Sequence, residues 1–186
     1  MMNQTIKDIL SRRSIRRFKP EPLPRDLLAE IITAGEFAPT ALNTQSLHFS
    51  VIRNRDIIAD ISAVNKKIIG GDDGNPLKKL AQMDNFCNFY HAPAVIIISS
   101  DDIPYGVADA ANAAENICIA AQSLGIGSCY IASFLPAFAS PEGPRLKDRI
   151  MLPENKIVRF AVALGYIDGE TPSAPPRREN NITVID

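Results

Sequence analysis

SRRSIRRFKPEPLP, residues 11–24, is the stretch on which the reading of the whole chain turns. Arg12, Arg13, Arg16, Arg17 and Lys19 crowd together with Ser11 and Ser14, in a chain whose formal net charge is only -1. Upstream, Ile6, Ile9 and Leu10 recur at i, i+3 and i+4 and predict a short amphipathic helix over residues 3–11, so the cations begin at a helix C-terminus. There each cation gains about 0.3 to 1 kcal/mol from the helix dipole. That explains one or two arginines but not five cations. The remainder points to an anion.

Which anion is narrowed by what the sequence lacks. A nucleic-acid surface fits poorly, because the charge balance is near neutral, aromatic residues are few and not interleaved with the basic ones, and no helix-turn-helix, finger or RNA-binding signature appears. LGIGSC, residues 124–129, is glycine-rich, but its glycines follow a helix and precede a strand. A dinucleotide site needs the reverse order, which aims a helix N-terminus at the pyrophosphate. There is no GK[ST] phosphate loop, and neither His48 nor His91 stands beside a Ser or Cys that would make a nucleophile. A small phosphorylated cofactor fits best, since guanidinium forks and a serine hydroxyl grip phosphate oxygens. Arg177 and Arg178, in the proline-rich TPSAPPRRE tail, offer a second basic cluster able to converge on the same phosphate.

The rest of the chain reads as one domain, residues 1–186, of helices alternating with strands. Helices are expected over residues 24–37, from an Asn54 cap through Ile68, over 76–90, over 106–124, and from a Ser140-Pro141 start. Strands are expected over residues 48–53, 94–99, 129–132 and 157–164. The strand at 94–99 is apolar on both faces, as parallel or central strands are, and the class is α/β or α+β with a mixed sheet. GGDDGNP, residues 70–76, is expected to be a loop and a candidate lid. Small residues cover most of ADAANAAENICIAAQSL, which suits a helix at the middle of the molecule or at a subunit contact. The β-branched NITVI run, residues 181–185, has no partner nearby in sequence. It either pairs with another subunit's sheet edge or folds back on its own. Nothing resembles a membrane span or a secretory leader, and three widely spaced cysteines read as reduced thiols, so the expectation is a cytoplasmic protein without disulfide or metal.

The motifs Arg12-Arg13-Ser14-Ile15-Arg16-Arg17-Phe18, Ala38-Pro39-Thr40-Ala41-Leu42-Asn43-Thr44-Gln45 followed by Phe49, Phe89-Tyr90-His91-Ala92-Pro93, Leu124-Gly125-Ile126-Gly127 and Ala163-Leu164-Gly165-Tyr166, with the Arg177-Arg178 tail, resemble in order and spacing the flavin-dependent nitroreductase family. The resemblance spans nearly the whole chain. It implies an α+β fold with a central, mainly antiparallel sheet flanked by helices, assembled as a domain-swapped homodimer with FMN at the interface. Carried over residue by residue, Arg12, Arg13, Ser14 and Arg16 contact the FMN phosphate and ribityl chain, and Arg177 and Arg178 close on the phosphate. Pro39, Thr40, Asn43 and Gln45 reach the flavin from the other subunit. Tyr130, Ile131, Ala132 and Ser133 pass the isoalloxazine ring. The arm at residues 171–186 crosses to the partner.

The implied activity is hydride transfer from NAD(P)H through flavin N5 to a nitroaromatic, quinone or related small electrophile by ping-pong turnover, with no side chain acting as a catalytic nucleophile. The alternative is a flavin-binding sensor or storage protein without turnover. Two departures bear on the substrate cavity: Gln45 is followed by Ser46-Leu47 where many members have Pro-Trp, and Thr40 stands where serine is commoner.

Overall fold

The structure, a computed structural model, describes residues 2–186. Its organising strand is β2 (Ala94–Asp101), whose side chains alternate between two cores. Val95 and Ile97 enter one, Ala94, Ile96 and Ile98 the other, and none of the five is exposed. A strand buried on both faces needs a layer of helices on each side. It is flanked in the sheet by β1 (Leu47–Ile52) and β4 (Lys156–Gly165), and β3 (Gly127–Ile131) adds outside β4. The order is β1-β2-β4-β3 and every pair is antiparallel. The apolar run at 94–99 therefore marks a central strand. The mixed sheet expected from alternating elements is corrected to a wholly antiparallel one, because apolarity on both faces reports burial and not direction.

On one face lie α2 (Arg25–Glu36) and α5 (Gly106–Ser123). The small residues of α5, Ala110, Ala113, Ala114 and Ala121, are fully buried, and they let the helix lie close against the sheet. Gly35 does the same between the two helices: a Cβ there would come within 2.8 Å of Ile117 Cγ1. On the other face α3 (Arg55–Gly71), α6 (Leu135–Ala139) and α7 (Gly143–Arg149) bury Ile58, Ile61, Phe138 and Leu146 with Phe89 and Phe134. Asn54 caps α3 as expected, its Oδ1 accepting from the backbone N–H of Asp56 and Ile57.

Three expectations are corrected. Residues 76–90 form only a single turn, α4 (Lys78–Ala81). Beyond it Phe89 is drawn into the core, and Tyr90 and His91 take left-handed φ of 54° and 56°, which no helix continues through. The glycines that open GGDDGNP belong to α3, and the loop begins at Asp72. Ser140-Pro141 does not start a helix: Ser140 follows the unforeseen α6, its Oγ accepts the N–H of Glu142, and α7 begins at Gly143. The NITVI run forms no strand within the chain, and Ile182, Val184 and Ile185 are exposed.

The first helix, α1 (Gln4–Ser11), inverts the usual rule. Its polar stripe faces α5: Asp8 is buried, Arg12 N–H donates to the Asp8 carbonyl, and Gln122 Nε2 donates to Ser11 Oγ. Ile6, Ile9 and Leu10 are left in solvent. After α1 the cationic segment runs along the outer edge of β3. Ile15 N–H donates to the Ser128 carbonyl at 2.9 Å in a parallel bridge between Ser14 and Ser128, and Phe18 forms an antiparallel bridge with Ile167. Gly127 makes room for this strand-like pass. A Cβ there would sit 2.9 Å from Ile167 Cγ1 and 3.1 Å from Ile15 Cγ2. Among the described residues no helix is long and apolar enough to cross a membrane, and no group of His, Cys, Asp or Glu side chains is arranged to hold a metal.

Two stability predictions come from these contacts. Gly127→Ala should destabilise the chain by about 1 to 3 kcal/mol through overpacking beneath Ile15; an unchanged thermal midpoint would mean that the segment is not tightly seated. Asp60 on α3 accepts from Arg145 Nη1 at 2.6 Å and Nη2 at 3.1 Å, and Arg149 on α7 joins it. The Arg145 hydrogen bonds hold the Asp60 carboxyl below its ordinary value despite the opposing effect of burial. A carboxylate with a depressed folded pKa stabilises above its unfolded pKa, about 3.9, and loses that contribution as pH falls through the lower folded value. Asp60→Asn should therefore cost about 0.5 to 1 kcal/mol at neutral pH, with the gap to wild type closing below about pH 4. A gap independent of pH in thermal melts would contradict this.

Candidate functional site

The cations of residues 12–19 divide into two kinds once their partners are traced. Arg12 Nε donates to Glu115 Oε1 on α5 at 3.2 Å, and Arg17 Nη2 to Asp168 Oδ2 at 3.2 Å. These two have carboxylates. Arg13 turns back on α1, its Nη1 donating to the carbonyls of Leu10 at 2.7 Å and Arg12 at 2.6 Å, while its Nε is buried with no acceptor. Arg16 Nε donates to the Tyr90 hydroxyl at 3.3 Å, and its guanidinium carbon stands 5.8 Å from the Tyr90 ring centre. The hydrogen bond to Tyr90 raises the Arg16 pKa above its ordinary value. Arg13 and Arg16 thus form no ion pair among the described residues. A buried guanidinium nitrogen without an acceptor is a costly group unless an anion arrives.

Beside Arg16 lies a cavity of about 340 Å³, bordered by Tyr90, Asn85, Asn88, Leu80 and Ser133. The end of β3 leads into it. Ile131 is buried, Ala132 is exposed, and Ser133 is half-buried. Tyr130 packs its ring 4.9 Å from that of Phe160, and burial pushes its phenol up to about 12, so it keeps its proton. A second cavity, about 460 Å³, shares Phe86, Cys87 and His91 with the first and extends past Phe18 and Ile58 to Lys66. Arg12, Arg13, Ser14, Arg16 and residues 130–133 are in this way gathered at one edge of the sheet, joined by the bridge between Ser14 and Ser128.

Pro39, Thr40, Asn43 and Gln45 form a separate group. Their loop, which contains the short 3-10 turn Ala41–Asn43, is fastened to the start of α5: Asp109 Oδ1 accepts from Ala41 N–H at 3.0 Å, and Asn112 Nδ2 donates to the Pro39 carbonyl. Within the loop Thr40 Oγ1 accepts from Gln45 N–H, and Gln45 Nε2 donates to Asn43 Oδ1. Leu42, Asn43 and Gln45 all hold left-handed φ, between 48° and 53°. Strain of this kind, about 1 to 3 kcal/mol for each residue, persists where the surroundings impose it and is concentrated at functional loops. Among the described residues no hydrogen bond, ion pair or shared cavity links this loop to the arginine edge. Arg177 and Arg178 lie on the exposed tail and also make no such contact.

Several residues of the arginine-edge cavity have no counterpart in the sequence reading. Asn85 and Asn88 fall in the segment expected to be helical, and Asn65, behind them on α3, carries no motif; Tyr90 stands in the Phe89–Pro93 motif, but without a site role. The one available signal was Ala92-Pro93, because a residue before proline avoids helical geometry and brings the helix end into question. The two buried thiols offer no nucleophile: burial drives the Cys118 pKa up to about 12 and raises that of Cys129.

Comparison with known proteins agrees with this fold. The nitroreductase family matches residues 9–166. An NADPH-flavin oxidoreductase of Vibrio harveyi is 29% identical over 188 residues, covering 98% of this chain and 73% of that protein. A nitroreductase of Bacteroides fragilis NCTC 9343 solved with bound FMN superposes with a TM-score of 0.92 at 29% identity, each chain being covered in full. A nitroreductase of Desulfitobacterium hafniense DCB-2, also with bound FMN, gives 0.93 at 28% identity with the same coverage. Sheet order, motif spacing and these likenesses agree, and the chain belongs to the nitroreductase family.

Proposed function

We propose that the chain is an FMN-dependent NAD(P)H oxidoreductase acting as an intertwined homodimer. The observation that carries this reading is Arg16, an arginine without a carboxylate partner, at the lip of a partly apolar cavity, with Arg13, likewise without a carboxylate and with its Nε buried without an acceptor, three residues before it. That donor set fits FMN, whose phosphate needs cations and whose ring needs an apolar berth with a few polar contacts. Arg13, Ser14 and the free Nη nitrogens of Arg12 would hold the phosphate and ribityl chain. Arg16 would place fixed positive charge beside the ring, and residues 130–133 would border it. Bound FMN supplies the hydride relay between NAD(P)H and a small electrophilic acceptor, a nitroaromatic or quinone, in two half-reactions.

The dimer follows from what one chain leaves uncovered. The apolar stripe of α1 faces solvent, as do Phe37 and Leu42. β1 holds an open sheet edge, whereas the outer edge of β3 is covered by Ser14 and Ile15. The tail carries a β-branched run able to pair with such an edge: Ile182, Val184 and Ile185 are 85%, 76% and 91% exposed. Residues 171–186 span about 50 Å when extended, against a radius of gyration of about 16 Å for a domain of this length. The arm reaches a second copy easily. In the dimer Arg177 and Arg178 would close on a phosphate, and the strained loop of Pro39, Thr40, Asn43 and Gln45 would complete the site of the other subunit. Energetics point the same way: three charged hydrogen bonds contribute about 5 to 9 kcal/mol, and association costs about 4 to 15. Phosphate contacts alone leave FMN weakly held, so burial of the ring between subunits must supply the rest.

The deciding experiment is anaerobic mixing of the flavin-loaded protein with NADH or NADPH, followed by a quinone or nitroarene. The reading expects loss of the flavin absorbance with the nucleotide, its return with the acceptor, and parallel double-reciprocal lines when both substrates are varied. A yellow protein that neither nucleotide bleaches would be a flavin carrier, and intersecting lines would exclude the two-stroke scheme.

A further inference from the structure

Asn65 on α3 has no exposed surface, yet both of its polar atoms face protein. Its Nδ2 donates to Asn88 Oδ1 at 3.0 Å and to the Ser133 carbonyl at 2.7 Å, and its Oδ1 is buried without a donor. Ser62, one turn earlier, closes the same ring: its Oγ donates to Asn88 Oδ1 at 3.4 Å and accepts the Asn88 backbone N–H at 2.9 Å. With two donors directed at its oxygen, the Asn88 amide has one satisfied orientation. Its Nδ2 turns away from α3 and donates to Ser133 Oγ at 3.2 Å. The flipped amide would set the Nδ2 groups of Asn65 and Asn88 against each other and lose the hydrogen bond between the two side chains.

This ring lies directly behind the cavity, since Asn88 and Ser133 both line it together with Arg16. A residue kept only for packing would not need an amide that leaves one buried acceptor unpaired, and such an atom calls for an explanation. What the amide does here is hold two things at once: the direction of the Asn88 side chain and the backbone of the loop after β3. With Asn88 Nδ2 held toward Ser133 Oγ, the donors left to this side of the cavity are the second Nδ2 proton of Asn88 and the Ser133 hydroxyl, whose oxygen already accepts.

We propose that Asn65 is a positioning residue for the flavin: acting through Asn88 and the Ser133 carbonyl, it keeps a donor surface facing the acceptor-rich pyrimidine edge of the ring. That edge gains negative charge when the flavin is reduced, so a fixed donor raises both affinity and reduction potential. The proposal rests on the flavin reading above. A conservative neighbour shares the task, because Ser62 fixes the same Asn88 oxygen from the adjoining turn.

The test is a double-mutant cycle on Asn65→Ala and Asn88→Ala, read by FMN titration of the apoproteins, by the midpoint potential of the loaded proteins, and by thermal melts of both forms. Asn65→Ala should raise the FMN Kd about tenfold, the equivalent of losing one well-made buried hydrogen bond, and lower the midpoint potential. In the Asn88→Ala background the same change should raise Kd by clearly less than tenfold, because only the route through the Ser133 carbonyl remains. Ser62→Ala, a mild change within a helix, should shift Kd and potential in the same direction by a smaller factor and guards against an Asn65 variant that fails to fold. If Asn65→Ala and Ser62→Ala lower the melting temperature but leave Kd and potential at wild-type values, or if the Asn65 effect persists undiminished without Asn88, the proposal is wrong. Wild-type protein that takes up no FMN would instead overturn the cofactor reading, and this proposal with it.

Discussion

The seating of Ile15 against Ser128 is the interaction on which the rest of the site depends. One parallel bridge, with Ile15 N–H donating to the Ser128 carbonyl at 2.9 Å, lays the cationic segment along β3 and closes that edge of the sheet. Ile15 is buried beneath it, and the missing side chain of Gly127 lets it approach. Because side chains alternate along an extended segment, fixing Ile15 inward fixes the neighbouring polar residues away from the core. Arg16 is thereby brought to the cavity that also contains Ser133, just beyond the end of β3.

Charge is arranged around that frame with some economy. The chain is nearly neutral as a whole, and two of its clustered arginines are matched by Glu115 and Asp168. Arg13 and Arg16 are matched only by carbonyls and a phenol. Part of the local excess thus stands at the cavity edge, which Arg16 lines. Apolar surface is similarly arranged, since α1 turns its polar stripe to α5 and leaves Ile6, Ile9 and Leu10 outward.

Much of this was legible in the residues. The β2 run of aliphatic side chains, the small residues of α5 and the Asn54 cap all appear where sequence places them, because each depends on local geometry or on burial alone. What was not legible depends on contacts distant in sequence. Periodicity shows that α1 is amphipathic but not which stripe meets the protein. Residues 76–90 carry helix-compatible residues, but Phe89 is claimed by the far core and the Asn88 N–H by Ser62. For the same reason the amides of Asn65, Asn85 and Asn88 went unnoticed: isolated asparagines acquire meaning only from what they face. Arg12 stands in a motif, but its tie to Glu115 depends on the packing of α1 on α5.

The central claim is that each flavin site is completed by a second copy of the chain. The most direct measurement is sedimentation of the FMN-loaded protein across a dilution series, with flavin and protein absorbance followed separately. The account predicts that flavin travels only with the dimer and appears as free FMN in step with dissociation. Monomers that sediment with their flavin still bound would contradict it.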